Sequence, residues 1–130
     1  MKQQHPDLDQ IESIINKDFD QITSYDIINQ AIEHKNPLCL KVVDKFAEIF
    51  GREVGNLALK TLPYGGIYLI GGVTNGIKDY LVSHNTFMEA FYDKGRVSDF
   101  MRKFRINVVH SHIEVGLLGA QEKARRELLK

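Results

Sequence analysis

The chain contains few of the features that would identify a partner. It has one cysteine, Cys39, so no disulfide can form within it, and its 17 basic and 17 acidic residues give a formal net charge of +0. Because charge is balanced and no basic face stands out, nucleic acid and anionic membranes are disfavoured as partners. No stretch approaches the roughly 18 apolar residues of a transmembrane helix, and the start has no signal-like apolar region. These absences predict a cytoplasmic protein.

The residues that are present suffice for one hydrophobic core. The 130 residues are 43% hydrophobic and 26% charged, which is typical of a single soluble domain. Cys39 falls within a helical pattern of apolar neighbours, so a buried thiol is favoured over a reactive one. No internal repeat or low-complexity stretch divides the chain.

Helical periodicity dominates the first half. Residues 1–22 are polar with isoleucines at helical spacing, and we treat them as an N-terminal segment ahead of the main unit, residues 23–130. Residues 23–26 match a capping box, and the Asn36-Pro37 pair predicts the start of a long helix that runs to Leu62. Gly51 and Gly55 are four residues apart on that helix. Each costs about 1 kcal/mol relative to alanine, which indicates that a neighbouring backbone packs closely there.

Residues 65–73 are the most informative stretch, because a short apolar run has a glycine pair at each end. Glycines let a backbone or a ligand approach closely where a strand begins and ends. A second apolar strand is predicted at Ile106–Val109, and two strands joined through helices should be parallel. Ligands of such sheets lie beyond the carboxyl ends of the strands, which here means Gly71, Gly72, Val73 and Thr74.

Short helices should surround the two strands. The pattern predicts them at Ile77–Val82, at Phe87–Tyr92 with Thr86 as a possible cap, at Asp99–Phe104 with Ser98 before it, and at Val115–Leu129. A sheet of two parallel strands is poorly stable alone, because its faces and edges need cover. Another copy, another polypeptide or further chain is therefore expected to complete the sheet.

Four segments together resemble, in this order, the C-terminal part of bacterial-type glucokinases, in the hexokinase and actin-like ATPase superfamily. They are Gly55–Leu59 (GNLAL), Gly65–Val73 (GGIYLIGGV), Phe87–Arg96 (FMEAFYDKGR) and Val115–Ala120 (VGLLGA). The resemblance covers about Ile27 to the C-terminus, whereas residues 1–22 match loosely. It implies an α/β fold, the C-terminal portion of an actin-like, ribonuclease-H-like ATPase domain: a long helix, then strand, helices, strand and helix, with parallel strands.

The resemblance also implies a function. Glucokinases transfer a phosphoryl group from ATP, with Mg²⁺, to glucose, and Gly71, Gly72, Val73 and Thr74 correspond to their adenosine-binding motif. Three motifs of the family, an Asp-x-Gly-Gly-Thr turn, a central Asn-Asp pair and a Gly-Thr-Gly phosphate turn, do not occur here. We therefore assign no catalytic residue and no metal ligand, and we do not expect this polypeptide alone to phosphorylate glucose. Homodimerisation, or assembly with the missing half, is expected.

Other interpretations stay open. The chain could be a non-catalytic module that holds a nucleotide or pairs with a full-length kinase, or part of another sugar kinase or activator of the superfamily. His110 and His112 at a strand end could seat a metal, and Lys94 and Arg96 in a polar turn could hold a phosphate. Solvent-exposed histidines and a solvated turn are the favoured interpretations.

Overall fold

The computed structural model describes residues 6–130 and is mostly helical, with a small parallel sheet. The first five residues of the N-terminal segment lie outside the described residues. The helices are α1 (Pro6–Ile15), α2 (Ser24–Ile32), α3 (Pro37–Thr61), α4 (Gly72–Gly76), α5 (Lys78–Ser83), α6 (Thr86–Tyr92), α7 (Ser98–Met101) and α8 (Val115–Leu128), and the strands are β1 (Ile67–Leu69) and β2 (Ile106–Val108). Short 3-10 helices occupy Phe19–Gln21 and Gly95–Val97.

The two predicted helix starts are confirmed by their caps. The Thr23 hydroxyl accepts a hydrogen bond from the Asp26 amide, and the Asp26 carboxylate accepts one from the Thr23 amide, which completes the capping box of α2. The Asn36 side chain accepts hydrogen bonds from the Leu38 and Cys39 amides, with Pro37 as the first residue of α3. Both devices satisfy amides that a helix start leaves without a partner.

Helix α3 is the central element, and α6 packs across it where its glycines lie. A Cβ atom on Gly51 would collide with the Phe87 carbonyl oxygen, and one on Gly55 would lie 2.8 Å from the Phe91 carbonyl oxygen. The two glycines therefore let the backbones of α3 and α6 approach closely, as the sequence predicted. Phe91 is fully buried at this crossing.

The sheet is parallel, as predicted, and in the described part of the chain it has two strands. Ile67 lies opposite Ile106 and Leu69 opposite Val108. The Ile67 amide donates to the Arg105 carbonyl oxygen at 2.8 Å, and the Val109 amide donates to the Leu69 carbonyl oxygen at 2.9 Å. One face of β1 buries Leu69 in the core, while Tyr68 is exposed on the other face.

Several predicted elements are shorter or differently capped than expected. Helix α7 ends at Met101 rather than Phe104, and β2 ends at Val108. Thr86 is not a cap: α6 begins at Thr86 itself without a side-chain cap, and the Thr86 hydroxyl donates to the Asp44 carboxylate at 2.6 Å. The Thr86 hydroxyl, which the local sequence predicts as a helix cap, therefore bonds instead to a residue of α3 that is 42 positions away in sequence.

The core lies between α3, α6 and the inner face of the sheet. Its largest fully buried side chains are those of Phe91, Ile77, Met101 and Cys39. Burial of the Cys39 thiol confirms the sequence prediction, and desolvation raises its pKa above the ordinary value. Among residues 6–130, no helix combines the length and the apolar character needed to cross a bilayer.

Candidate functional site

The glycine pair after β1 forms a sharp turn into α4. Gly71 has φ +113° and ψ 161°, a backbone conformation that side-chain-bearing residues rarely adopt. Gly72 is the first residue of α4, and a Cβ atom built on it would meet nothing within 4 Å. The sequence predicted a glycine turn here but not the helix, since Gly72–Gly76 has a glycine at each end and no side-chain cap.

Asn75 fixes this turn to the end of β2. Its side-chain amide donates to the Gly71 carbonyl oxygen at 3.0 Å and to the Val109 carbonyl oxygen at 3.1 Å. The Thr74 side chain is buried, and its hydroxyl donates to the Ile70 carbonyl oxygen at 3.4 Å. Of the four predicted site residues, Gly71 and Gly72 are thus exposed, Val73 is half-buried, and Thr74 faces the interior.

A cavity of about 420 Å³ lies between α2 and α4. Its wall on α4 is formed by Gly72, Val73 and Gly76, and its opposite wall is formed by residues of α2 and its C-cap residue Glu33, namely Ser24, Tyr25, Ile28, Asn29, Ile32 and Glu33. A Cβ atom on Gly76 would lie 3.3 Å from two carbon atoms of Ile28, so this glycine allows the two helices to meet. The volume is within the range of small-molecule sites.

The α2 wall offers an aromatic ring and polar groups on one helix face. Tyr25, Asn29 and Glu33 are spaced four residues apart, and the Tyr25 ring is 73% exposed. Sequence reasoning missed these residues as site candidates. The spacing was visible in the sequence, but only the packing of α2 on α4 shows that this face meets the glycine turn.

A second cavity, of about 400 Å³, lies on the other side of Gly71 at the carboxyl ends of both strands. Besides the glycine turn, it is lined by residues that follow β2, among them Val109, His110 and Ser111. The Lys78 ammonium lies 3.5 Å from the His110 Nε2 atom, and the ring centres of His110 and His112 are 5.1 Å apart. Within residues 6–130, no group of three or more His, Cys, Asp or Glu residues is placed to hold a metal ion.

The remaining candidates have structural contacts. The Lys94 ammonium donates to the Arg52 carbonyl oxygen at 3.1 Å and to the Asn56 side-chain oxygen at 2.8 Å. Lys94 therefore joins its turn to α3 instead of presenting its charge to a phosphate.

Comparisons with known proteins agree with this fold. A family model described as Glucokinase matches residues 3–127. The glucokinase of Nostoc punctiforme is 36% identical over 96 residues, which are 74% of this chain and 28% of that protein. The glucokinase of Synechocystis is 40% identical over 90 residues, 69% of this chain and 25% of that protein, and the glucokinase of Yersinia pestis is 32% identical over 109 residues, 84% of this chain and 33% of that protein.

A solved structure shows the same fold. The crystal structure of glucokinase from an Antarctic psychrotroph matches with a TM-score of 0.63 at 21% identity, over 81% of this chain and 32% of that chain. The fold is therefore that of part of an actin-like ATPase domain. The chain belongs to the glucokinase family, corresponds to its C-terminal part, and spans about a quarter to a third of the length of the relatives it matches.

Proposed function

We propose that this chain supplies the adenosine side of the ATP site of a glucokinase-type sugar kinase. The complete enzyme would transfer the γ-phosphoryl group of ATP, with Mg²⁺, to glucose and release glucose 6-phosphate, in the cytoplasm. The observation that carries the proposal is the 420 Å³ cavity between α2 and α4, which is lined by Gly72, the second glycine of the turn after β1. The proposed reaction is inferred from membership of the glucokinase family, and the proposed position of the nucleoside is inferred from the cavity.

The purine would occupy the cavity against α2. The exposed Tyr25 ring provides a flat apolar face on which an aromatic base can stack. The Asn29 amide and the Glu33 carboxylate lie along the same wall and can hydrogen-bond to the edge of a base. This combination of one aromatic ring and a few polar groups is typical of small-molecule sites.

The ribose would lie against the glycine turn. Because Gly72 has no side chain and an added Cβ would contact no protein atom, the backbone there is accessible to a ligand. Val73 would contribute its apolar side chain at the cavity wall. Thr74 would act through the turn, since its buried hydroxyl bonds to the Ile70 carbonyl oxygen.

The phosphates, Mg²⁺ and glucose would be held by other parts of the complete enzyme. Phosphoryl transfer depends on a positioned carboxylate, on backbone amides around the phosphates and on the metal ion. The three family motifs that supply these groups are not found in the 130 residues. The chain would then work together with the remaining kinase segments, because a homodimer of this chain alone would add none of these motifs.

Substitutions at the two ends of β1 test the nucleoside site. Gly72→Val should abolish ADP binding measured by calorimetry, because the valine side chain would occupy the space proposed for the ribose, where an added Cβ atom meets no protein atom within 4 Å. Gly65→Val is the matched control, since a Cβ atom there also meets nothing within 4 Å and Gly65 lies at the opposite end of the strand. Equal ADP affinity in both variants and the wild type would reject the site.

The absence of the phosphoryl-transfer motifs favours one second function, a non-catalytic nucleotide-binding or assembly module. The two proposed functions predict polypeptides of different length in the cell. An antibody raised against this chain should detect a protein about the size of its full-length glucokinase relatives if the kinase proposal is right. Detection of a polypeptide of 130 residues alone would favour the module.

A further inference from the structure

Glu33 lies at the carboxyl end of α2, in the wall of the cavity between α2 and α4. It is the C-cap residue of the helix, and its backbone amide donates to the Asn29 carbonyl oxygen at 2.9 Å. Its side chain is exposed, and it lines the cavity together with Asn29 and Tyr25. Glu33 is therefore a charged residue of the cavity wall whose backbone is fixed by the helix end.

The polar groups of this wall are available to a ligand. Within residues 6–130, the Glu33 carboxylate makes no hydrogen bond and no ion pair, and the Asn29 side-chain amide is likewise without a partner. Glu48 on α3 shows the contrast, since the Lys45 ammonium bridges its carboxylate at 2.7 Å. Two unpaired polar side chains one helical turn apart thus share the wall of one cavity.

The two groups differ in what they can recognise on a purine. The Asn29 amide has a donor and an acceptor, so it can bond to the 6-amino group of adenine or to the 6-oxo group of guanine. The Glu33 carboxylate only accepts hydrogen bonds. Guanine presents two adjacent donors, N1–H and the 2-amino group, whereas adenine presents its 6-amino group beside N1, an acceptor. Stacking on Tyr25 does not discriminate, because every base has an aromatic face.

We propose that Glu33 extends this site to guanine nucleotides, so that GDP and GTP bind at least as tightly as ADP and ATP. The proposal rests on the nucleoside site proposed above and adds a second class of ligand to it. Glu33 accepts from guanine N1–H and from the 2-amino group, while Asn29, about 6 Å earlier along the helix, donates to the 6-oxo group. Because the carboxylate is exposed, the preference is several-fold and not larger.

Calorimetric titration of the 130-residue chain with GDP, IDP and ADP tests the ligand side. GDP and IDP differ only in the 2-amino group, so their comparison isolates one hydrogen bond to the carboxylate. We expect GDP to bind at least as tightly as ADP and at least about threefold more tightly than IDP. ADP binding tighter than GDP binding, or IDP binding equal to GDP binding, would overturn the proposal.

Glu33→Gln tests the residue. A glutamine side chain has one acceptor and one donor, which suits the 6-amino group and N1 of adenine but sets a donor against the donors of guanine. GDP affinity should fall at least about threefold, while ADP affinity stays the same or rises. Glu89→Gln is the matched control, since Glu89 is an exposed carboxylate on α6 outside the linings of the 420 Å³ and 400 Å³ cavities. Circular dichroism confirms folding of each variant.

The outcomes separate the role of Glu33 from the nucleoside site itself. If ADP binds and Gly72→Val abolishes its binding, the site stands; GDP that then fails to bind, or a Glu33→Gln variant that weakens GDP and ADP equally, shows that the role of Glu33 is wrong. A loss of GDP affinity in Glu89→Gln as large as that in Glu33→Gln also overturns it. If neither nucleotide binds the wild type, the nucleoside site is wrong and the guanine proposal falls with it.

Discussion

The Asn75 side-chain amide donates to the Gly71 carbonyl oxygen at 3.0 Å while it also donates to the Val109 carbonyl oxygen at 3.1 Å. One side chain thus fixes the glycine turn after β1 to the end of β2. The Asn75 backbone amide donates to the same Gly71 carbonyl oxygen at 3.0 Å, so the side chain adds to a hydrogen bond within the turn and is the link from the turn to β2. Asn75 lines the second cavity, and it contacts the proposed nucleoside site only through the backbone of the glycine turn.

Asn75→Ala should loosen this turn. We expect a loss of about 1–2 kcal/mol in the free energy of unfolding, since two hydrogen bonds to carbonyl oxygens disappear. ADP affinity should fall as well, because the ribose-facing backbone is no longer fixed. Urea denaturation and calorimetry measure the two effects.

Asn107→Ala is the control for this change. Asn107 is exposed on β2, and its amide makes a longer contact, 3.4 Å, with the Ile67 carbonyl oxygen. If Asn107→Ala lowered stability and ADP affinity as much as Asn75→Ala, the role assigned to Asn75 would be wrong.

Two glycine-to-alanine substitutions should change the stability of the fold in opposite directions. Gly51→Ala should destabilise the chain by about 1–3 kcal/mol, because its Cβ would collide with the Phe87 carbonyl oxygen where α6 crosses α3. Gly119→Ala on α8 meets nothing within 4 Å and should stabilise by up to about 1 kcal/mol through helix propensity. Thermal unfolding of both variants measures the difference, and a stabilising Gly51→Ala would contradict the close packing of α3 and α6.

The elements that sequence predicted correctly are those with a local chemical cause. Thr23 and Asp26 form their capping box within four residues, and Asn36 caps the amides that directly follow it. The glycine spacing on α3 also predicted a close neighbour, although it could not say that the neighbour is α6. The division of the chain at residue 22 stays a prediction.

What sequence missed depends on contacts between distant segments. The Thr86 hydroxyl was assigned to a cap, but Asp44 of α3 accepts its hydrogen bond. Tyr25 and Asn29 become candidates only because α2 packs on α4, which begins about 40 residues later in the chain. Helix α4 has no side-chain cap and no helical spacing of apolar residues, so the local sequence does not predict it.

Asp44 should make folding sensitive to acid. Hydrogen bonds from the Thr86 and Tyr80 hydroxyls lower the pKa of its carboxyl below the ordinary value. A lowered folded pKa gives stability that is complete above the unfolded value of about 3.9 and is lost as pH falls through the lower folded value. Asp44→Asn should therefore cost more stability at pH 7 than at pH 2, as measured by urea denaturation.

Asp26 provides the comparison for Asp44. Hydrogen bonds from Lys17 and Thr23 lower the pKa of its carboxyl to about 2, so part of the acid sensitivity should remain in Asp44→Asn. The double variant Asp26→Asn, Asp44→Asn should have a flatter pH dependence than either single variant. If Asp44→Asn lowered the free energy of unfolding equally at pH 7 and at pH 2, the two hydroxyls would not act by stabilising the charged carboxylate.

Cys39 should react only when the chain unfolds. Its side chain has no exposed surface, and burial raises the pKa of the thiol, so the reactive thiolate is both scarce and shielded. Alkylation by iodoacetamide should be slow in buffer and fast in concentrated urea. Rapid alkylation of the folded chain would mean that α3 opens near its N-terminal end.

The central claim is that this chain recognises the nucleoside and leaves the phosphates to residues it does not contain. Calorimetric titration with adenosine, AMP and ATP tests this claim most directly, with His110→Ala as a variant in the second cavity. The account predicts affinities within about threefold of one another, weakened at least about tenfold by Tyr25→Ala and unchanged by His110→Ala. ATP binding far tighter than adenosine binding, or binding lost in His110→Ala and kept in Tyr25→Ala, would contradict it.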